Sequence, residues 1–148
     1  NWQYGFGAMA ALAHDTIIVI GIFSLFWGIL PFTMEIDQSF VAAILTGIGY
    51  SINDTVVVYD RMREYIPIYR KRPLNEVINL AMNDTLSRTL NTGITSILVL
   101  LVMFCFGGET IRGFLFAMII GIVIGTYSSI FVASSLLYDT TKKRGIKT

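Results

Sequence analysis

Residues 113–138 read GFLFAMIIGIVIGTYSSIFVASSLLY, an unbroken run from Gly113 to Tyr138 with no Asp, Glu, Lys or Arg. A helix rising about 1.5 Å per residue needs roughly 20 such residues to cross ~30 Å of hydrocarbon. Working outward, Thr89–Gly108 is also uncharged, Gln38–Tyr59 carries only Asp54, and Thr16–Met34 is uncharged behind His14 and Asp15. Four spans are expected, near residues 8–30, 39–60, 88–106 and 113–138. The fold class read from them is all-α: a polytopic membrane helical bundle of four transmembrane helices with a short cytoplasmic amphipathic helix.

Composition agrees. Of 148 residues, 54% are hydrophobic and 14% are charged, against roughly a quarter charged in a soluble domain. That is too little polar surface for a water-soluble globule of this size, and too much hydrophobicity for disorder. A single cysteine, Cys105, excludes an internal disulfide, and with one histidine, His14, it excludes a multi-Cys or multi-His metal site. A net charge of +1 offers no field for nucleic acid. The chain opens at Asn1 without signal-peptide architecture and reads as a piece of a longer protein.

Loop charge orients the spans. Arg61, Arg63, Arg70, Lys71 and Arg72 follow span two, and Lys142, Lys143, Arg144 and Lys147 follow span four. The positive-inside rule places both segments, and so both termini, in the cytoplasm. The connections carrying Glu35 and Asp37, and Glu109 and Arg112, then face outward. Within the cytoplasmic segment 61–87, Pro67 and Pro73 bracket the basic stretch and break any continuous helix. From Leu74, the apolar residues Val77, Ile78, Ala81 and Met82 recur at helical spacing, an amphipathic helix at the interface that leads into span three.

Charges inside spans are costly and normally face a bundle interior or a wet cavity. Asp54 falls ~8 Å, Asp15 ~6 Å and Arg88 ~12 Å from the middle of their spans, all towards the cytoplasm. Three charges in one half of the membrane suggest a shared polar cluster. The Asp54 face of span two carries Ala43, Gly47 and Ser51. On span three, Arg88, Asn91 or Thr92, and Thr95 share a face, which predicts that they point inward. Gly121, Gly125 and Ser129 form a small-residue stripe on span four for close helix packing. Burial in hydrocarbon favours a protonated carboxyl, whereas a nearby guanidinium favours the ionised form. Asp54 and Arg88 are therefore candidates for a proton pathway, with His14, Asp15, Ser51, Asn53, Asn91 and Thr92 as supporting polar groups.

The stretch Gly49-Tyr50-Ser51-Ile52-Asn53-Asp54-Thr55-Val56-Val57-Val58-Tyr59-Asp60-Arg61 resembles the signature of the SecF family of protein-export membrane proteins. So do His14-Asp15, Thr85-Leu86-Ser87-Arg88-Thr89, Phe106-Gly107-Gly108 and Gly125-Thr126-Tyr127-Ser128-Ser129-Ile130, in that order along nearly the whole chain. The resemblance implies the last four of six spans, with a first span, a large extracytoplasmic domain and a second span before Asn1. It implies membership of the resistance-nodulation-division superfamily and residence in the bacterial inner membrane. It implies work beside SecD, or the SecD half of a fusion, and the SecYEG channel, using the proton motive force to help complete export of a translocating polypeptide. That polypeptide would be engaged through the extracytoplasmic domain. The family's proton-passage acid and arginine correspond to Asp54 and Arg88. No cofactor or metal is implied. Two rival readings exist: an intramembrane aspartyl protease, for which Tyr59-Asp60 is half a motif without its Gly-x-Gly-Asp partner, and a proton-independent helical scaffold.

Overall fold

A computed structural model of the chain describes residues 2–143; Arg144 and Lys147 of the basic tail lie outside the described residues. Four helices run in order, α1 (Trp2–Phe26), α2 (Gln38–Ile68), α3 (Leu74–Phe106) and α4 (Glu109–Lys143). All four are long and apolar enough to cross a membrane, and the fold is the all-α polytopic bundle expected.

The ends of the helices follow local chemistry. Gly28, with φ of 78°, turns the chain just beyond α1, a left-handed conformation that glycine adopts without penalty. The first span therefore stops short of residue 30. Asp37 caps α2 by accepting a 2.9 Å hydrogen bond from the Phe40 amide.

Two sequence expectations change between α2 and α3. Pro67 does not end α2; it sits inside the last turn, before the cap at Tyr69. The kink that a proline imposes falls at the very end of the helix, with only Ile68 beyond it, so the rest of α2 is undisturbed. Pro73 does mark a boundary, directly before α3. The amphipathic segment is not a separate interfacial helix. It is the base of α3, continuous with the span, and its Ile78 and Ala81 pack in a core with Tyr4, Val58 and Met62.

Helix α4 is the hub, packing on α1, α2 and α3, while the α1 and α3 backbones make no close approach among the described residues. Small residues make this possible. Gly121 lies against Gly47, and a Cβ added to Gly125 would stand 3.0 Å from the Ser51 Cβ. Apolar clusters close both ends of the bundle: one around Met62, Ala133 and Leu137, the other around Phe23, Phe40 and Ala117, with Leu100, Leu115 and Ile122 beside it. The polar residues lie between them.

Beyond the apolar part of the bundle, α2 and α3 are clasped. Asp84 accepts from the Tyr65 hydroxyl at 2.9 Å and from Arg61 Nε at 2.6 Å. These bonds, the tyrosine's first, hold its carboxyl below the usual carboxylate range. Arg61 also pairs with Glu64 at 2.9 Å.

Candidate functional site

Two polar layers occupy the middle of the bundle. In the first, Asp15 of α1 is buried and accepts at Oδ2 from Ser51 Oγ of α2 and Ser128 Oγ of α4, each at 2.7 Å. Its other oxygen lies 3.1 Å from His14 Nδ1, which donates in the Nδ1–H tautomer. One carboxylate thus joins three helices. The sequence pointed to Asp15, His14 and Ser51, but not to Ser128. The signal was there: Ser128 stands three residues after Gly125, on the small stripe that brings α4 against Ser51.

The second layer lies between α2, α3 and α4. The Tyr50 hydroxyl and Thr126 Oγ1 converge on Gly93, where an added Cβ would meet them at 3.6 and 3.2 Å. Asp54 follows Tyr50 by one turn on α2, and Thr89 precedes Gly93 by one turn on α3. Because α2 and α3 are antiparallel, this register sets Thr89 level with Asp54. Asp54 Oδ2, Tyr50 OH, Thr89 Oγ1 and Thr126 Oγ1 are all buried without a hydrogen-bond partner among the described residues. Buried polar atoms are nearly always paired, so four orphans in one layer form an unusual concentration. Tyr50, Thr89 and Thr126 belong to the SecF-like motifs, but neither charge nor spacing in the sequence marks them out.

The phase of α3 differs from the sequence expectation. Thr85, Thr89 and Gly93 face the bundle, whereas Arg88, Asn91, Thr92 and Thr95 are exposed. Asn53 of α2 is exposed as well. Arg88 lines a cleft of about 310 Å³ with Asp60, Arg61, Glu64 and Asp84. No ion pair joins it to Asp54. The polar stripe of α3 is thus an outer surface of these four helices. Packing, rather than polarity, sets its rotation, since Gly93 is the small residue that admits Thr126 and Tyr50.

Tyr59 is occupied structurally. Its hydroxyl donates to the Ala133 carbonyl at 2.9 Å, and its ring packs edge-on to Tyr4. Asp60, beside it in sequence, is exposed and lines the Arg88 cleft. Among the described residues, no three of His, Cys, Asp and Glu come together as metal ligands would.

Residues 1–143 match the family described as protein export membrane protein SecD/SecF, C-terminal. The chain belongs to the SecD/SecF family. Curated relatives include the protein translocase subunit SecF of Rhodothermus marinus, 57% identical over 139 residues that cover 94% of this chain and 45% of that protein. The SecF subunit of Cereibacter sphaeroides is 47% identical over 145 residues, covering 98% of this chain and 43% of that one. A crystal structure of SecDF in a super-membrane-facing form superposes with a TM-score of 0.89 at 41% identity, covering 97% of this chain and 19% of that one. This SecD/SecF chain therefore spans less than half the length of the curated relatives it matches. It is a multi-pass protein of the bacterial inner membrane.

Proposed function

We propose that the chain is the membrane part of a Sec export subunit that couples the proton motive force to late steps of polypeptide translocation. Its partners in this reading are SecD, or the SecD half of a fusion, the SecYEG channel, and a polypeptide held by an extracytoplasmic domain outside these four spans. The observation that carries the reading is Asp54, a buried carboxylate with an unpartnered oxygen in a layer of unpartnered hydroxyls. A group left unsatisfied by the protein is free to exchange a proton with water entering its layer, and a buried charge changes energy strongly when neutralised. The Arg88 guanidinium biases that exchange from the neighbouring cleft. One proton crossing 100 mV supplies ~2.3 kcal/mol, a useful fraction of what a marginal two-state balance needs.

The test is proton-motive-force-dependent export in membrane vesicles carrying the full-length protein. Asp54→Asn keeps shape and hydrogen-bonding capacity while removing ionisation. It should express and associate with SecD, yet lose the stimulation by proton motive force. Wild-type stimulation would end the proton-carrier reading and leave the scaffold, which the fully bonded Asp15 layer and the glycine seam favour. Topology follows the Lys/Arg asymmetry, with both termini and the Arg61–Arg72 segment cytoplasmic. Cysteines introduced near Glu35 and Glu109 should react with an impermeant reagent in intact cells. Labelling of a cysteine near Arg70 from outside would overturn this topology.

A further inference from the structure

At the end of the bundle away from the Arg61–Arg72 connection, a groove of about 610 Å³ opens between the α1–α2 connection, the end of α3 and the start of α4. Phe32 forms its floor, packing edge-on to Phe104 at 5.6 Å and to Phe116 at 5.7 Å. Leu101, Cys105 and Ile119 complete the apolar walls, and both Leu101 and Cys105 are exposed. One cation enters this lining, Arg112. Its Nε is buried without a hydrogen-bond partner, and it makes no ion pair among the described residues. The nearby carboxylates Glu35, Asp37 and Glu109 line a separate pocket. The two are divided where the Thr33 carbonyl closes over Gly113, 2.7 Å from where a Cβ would stand.

We propose that this groove binds one phospholipid, its phosphate on the Arg112 guanidinium and an acyl chain along Phe104, Cys105 and Phe116. Three features favour that occupant. The walls are apolar and Leu101 and Cys105 of α3 are exposed beside them, so a chain can enter sideways. The guanidinium is a planar fork whose donors match phosphate oxygens, and it is left with donors to spare. Arg112 also sits in the first turns of α4, at the end of an uncharged run long enough to span the hydrocarbon, where headgroups lie. The carboxylates of the neighbouring pocket disfavour added negative charge, so phosphatidylethanolamine, with no net headgroup charge, is the fitting probe. The inference rests on the membrane location alone and stands whether or not Asp54 carries protons.

Native mass spectrometry of the full-length subunit, delipidated and then mixed with phosphatidylethanolamine, tests it. The wild type should retain one lipid. Arg112→Gln should weaken retention about tenfold, as loss of a charge-assisted bond does, and Arg112→Lys should recover part of it. Ile119→Trp, which fills the groove, should abolish retention. Diacylglycerol with the same chains, lacking the phosphate, should bind about tenfold more weakly. Equal retention by Arg112→Gln or of diacylglycerol would overturn the phosphate contact, and full retention by Ile119→Trp would overturn the groove. Should Arg112→Gln fail to fold, the diacylglycerol and Ile119→Trp arms still decide. A photoreactive acyl chain that labels the protein but never Phe104 or Cys105 would mean that another protein segment covers the groove, and would also sink the proposal.

Discussion

Asp15 and Asp54 are both buried aspartates of neighbouring helices, yet their surroundings are opposite. Asp15 accepts two serine hydroxyls at 2.7 Å and lies beside a histidine. Asp54 keeps an oxygen with no partner, among hydroxyls that also lack one. A carboxylate whose bonds are spent on three helices holds those helices together. A carboxylate without them contributes little to packing and is available for proton exchange. Burial alone does not distinguish the two, since they are exposed by only 4% and 5%; the hydrogen-bond inventory does.

The severest way to break the comparison is to force apart the seam that carries both layers. Gly125→Leu places its side chain against the Ser51 Cβ, 3.0 Å from the first added carbon, and Ser51 is a donor to Asp15. The variant should fail to yield a folded membrane complex, although it makes the span more apolar. Recovery of wild-type amounts of monodisperse protein would show that α2 and α4 can separate without loss. Next comes a direct contrast in stability. Asp15→Ala leaves the buried Ser51 hydroxyl without an acceptor and Ser128 with only its 3.2 Å bond to the Gly125 carbonyl, and should destabilise the bundle by ~1–3 kcal/mol. Asp54→Ala removes a carboxylate with an unmet oxygen and should change stability by under about 1 kcal/mol. Thermal unfolding in nanodiscs measures both, and equal losses would erase the distinction between the layers. The finest adjustment acts on Arg88. Arg88→Lys keeps charge but loses the planar fork, so vesicle export should fall partially. Arg88→Met should fall further, because Asp54 then has no cation within reach. Matching activities for the two would show that guanidinium charge is irrelevant to Asp54.

Much of this could be read before any coordinates. The uncharged runs marked four membrane helices, and their depths placed Asp15, Asp54 and Arg88 in the same half of the bundle. The small residues of α4 indicated its close contacts. The rotation of α3 could not be read in the same way. Its lower half is polar nearly all round, with Thr85, Ser87, Arg88, Thr89, Asn91 and Thr92, so polarity picks out no unique inward face. Gly93 carried the better signal, because close approach demands a residue without a Cβ whichever side is more polar. Helix lengths were underestimated for a related reason. Hydropathy ends where the apolar run ends, whereas α2 and α3 continue as helices held by Arg61, Tyr65 and Asp84.

That continuation has a mechanical consequence. With 31 and 33 residues, α2 and α3 measure ~47 and ~50 Å, well beyond the ~30 Å of hydrocarbon. Clasped at their base, the two helices would tilt as a pair if they pivoted near the Asp54 layer. A tilt of about 5° there carries a tip ~25 Å away through ~2 Å. A rearrangement too small to disturb the helix contacts around Asp54 is thereby magnified, at the far end of the pair, to the scale on which side chains change partners.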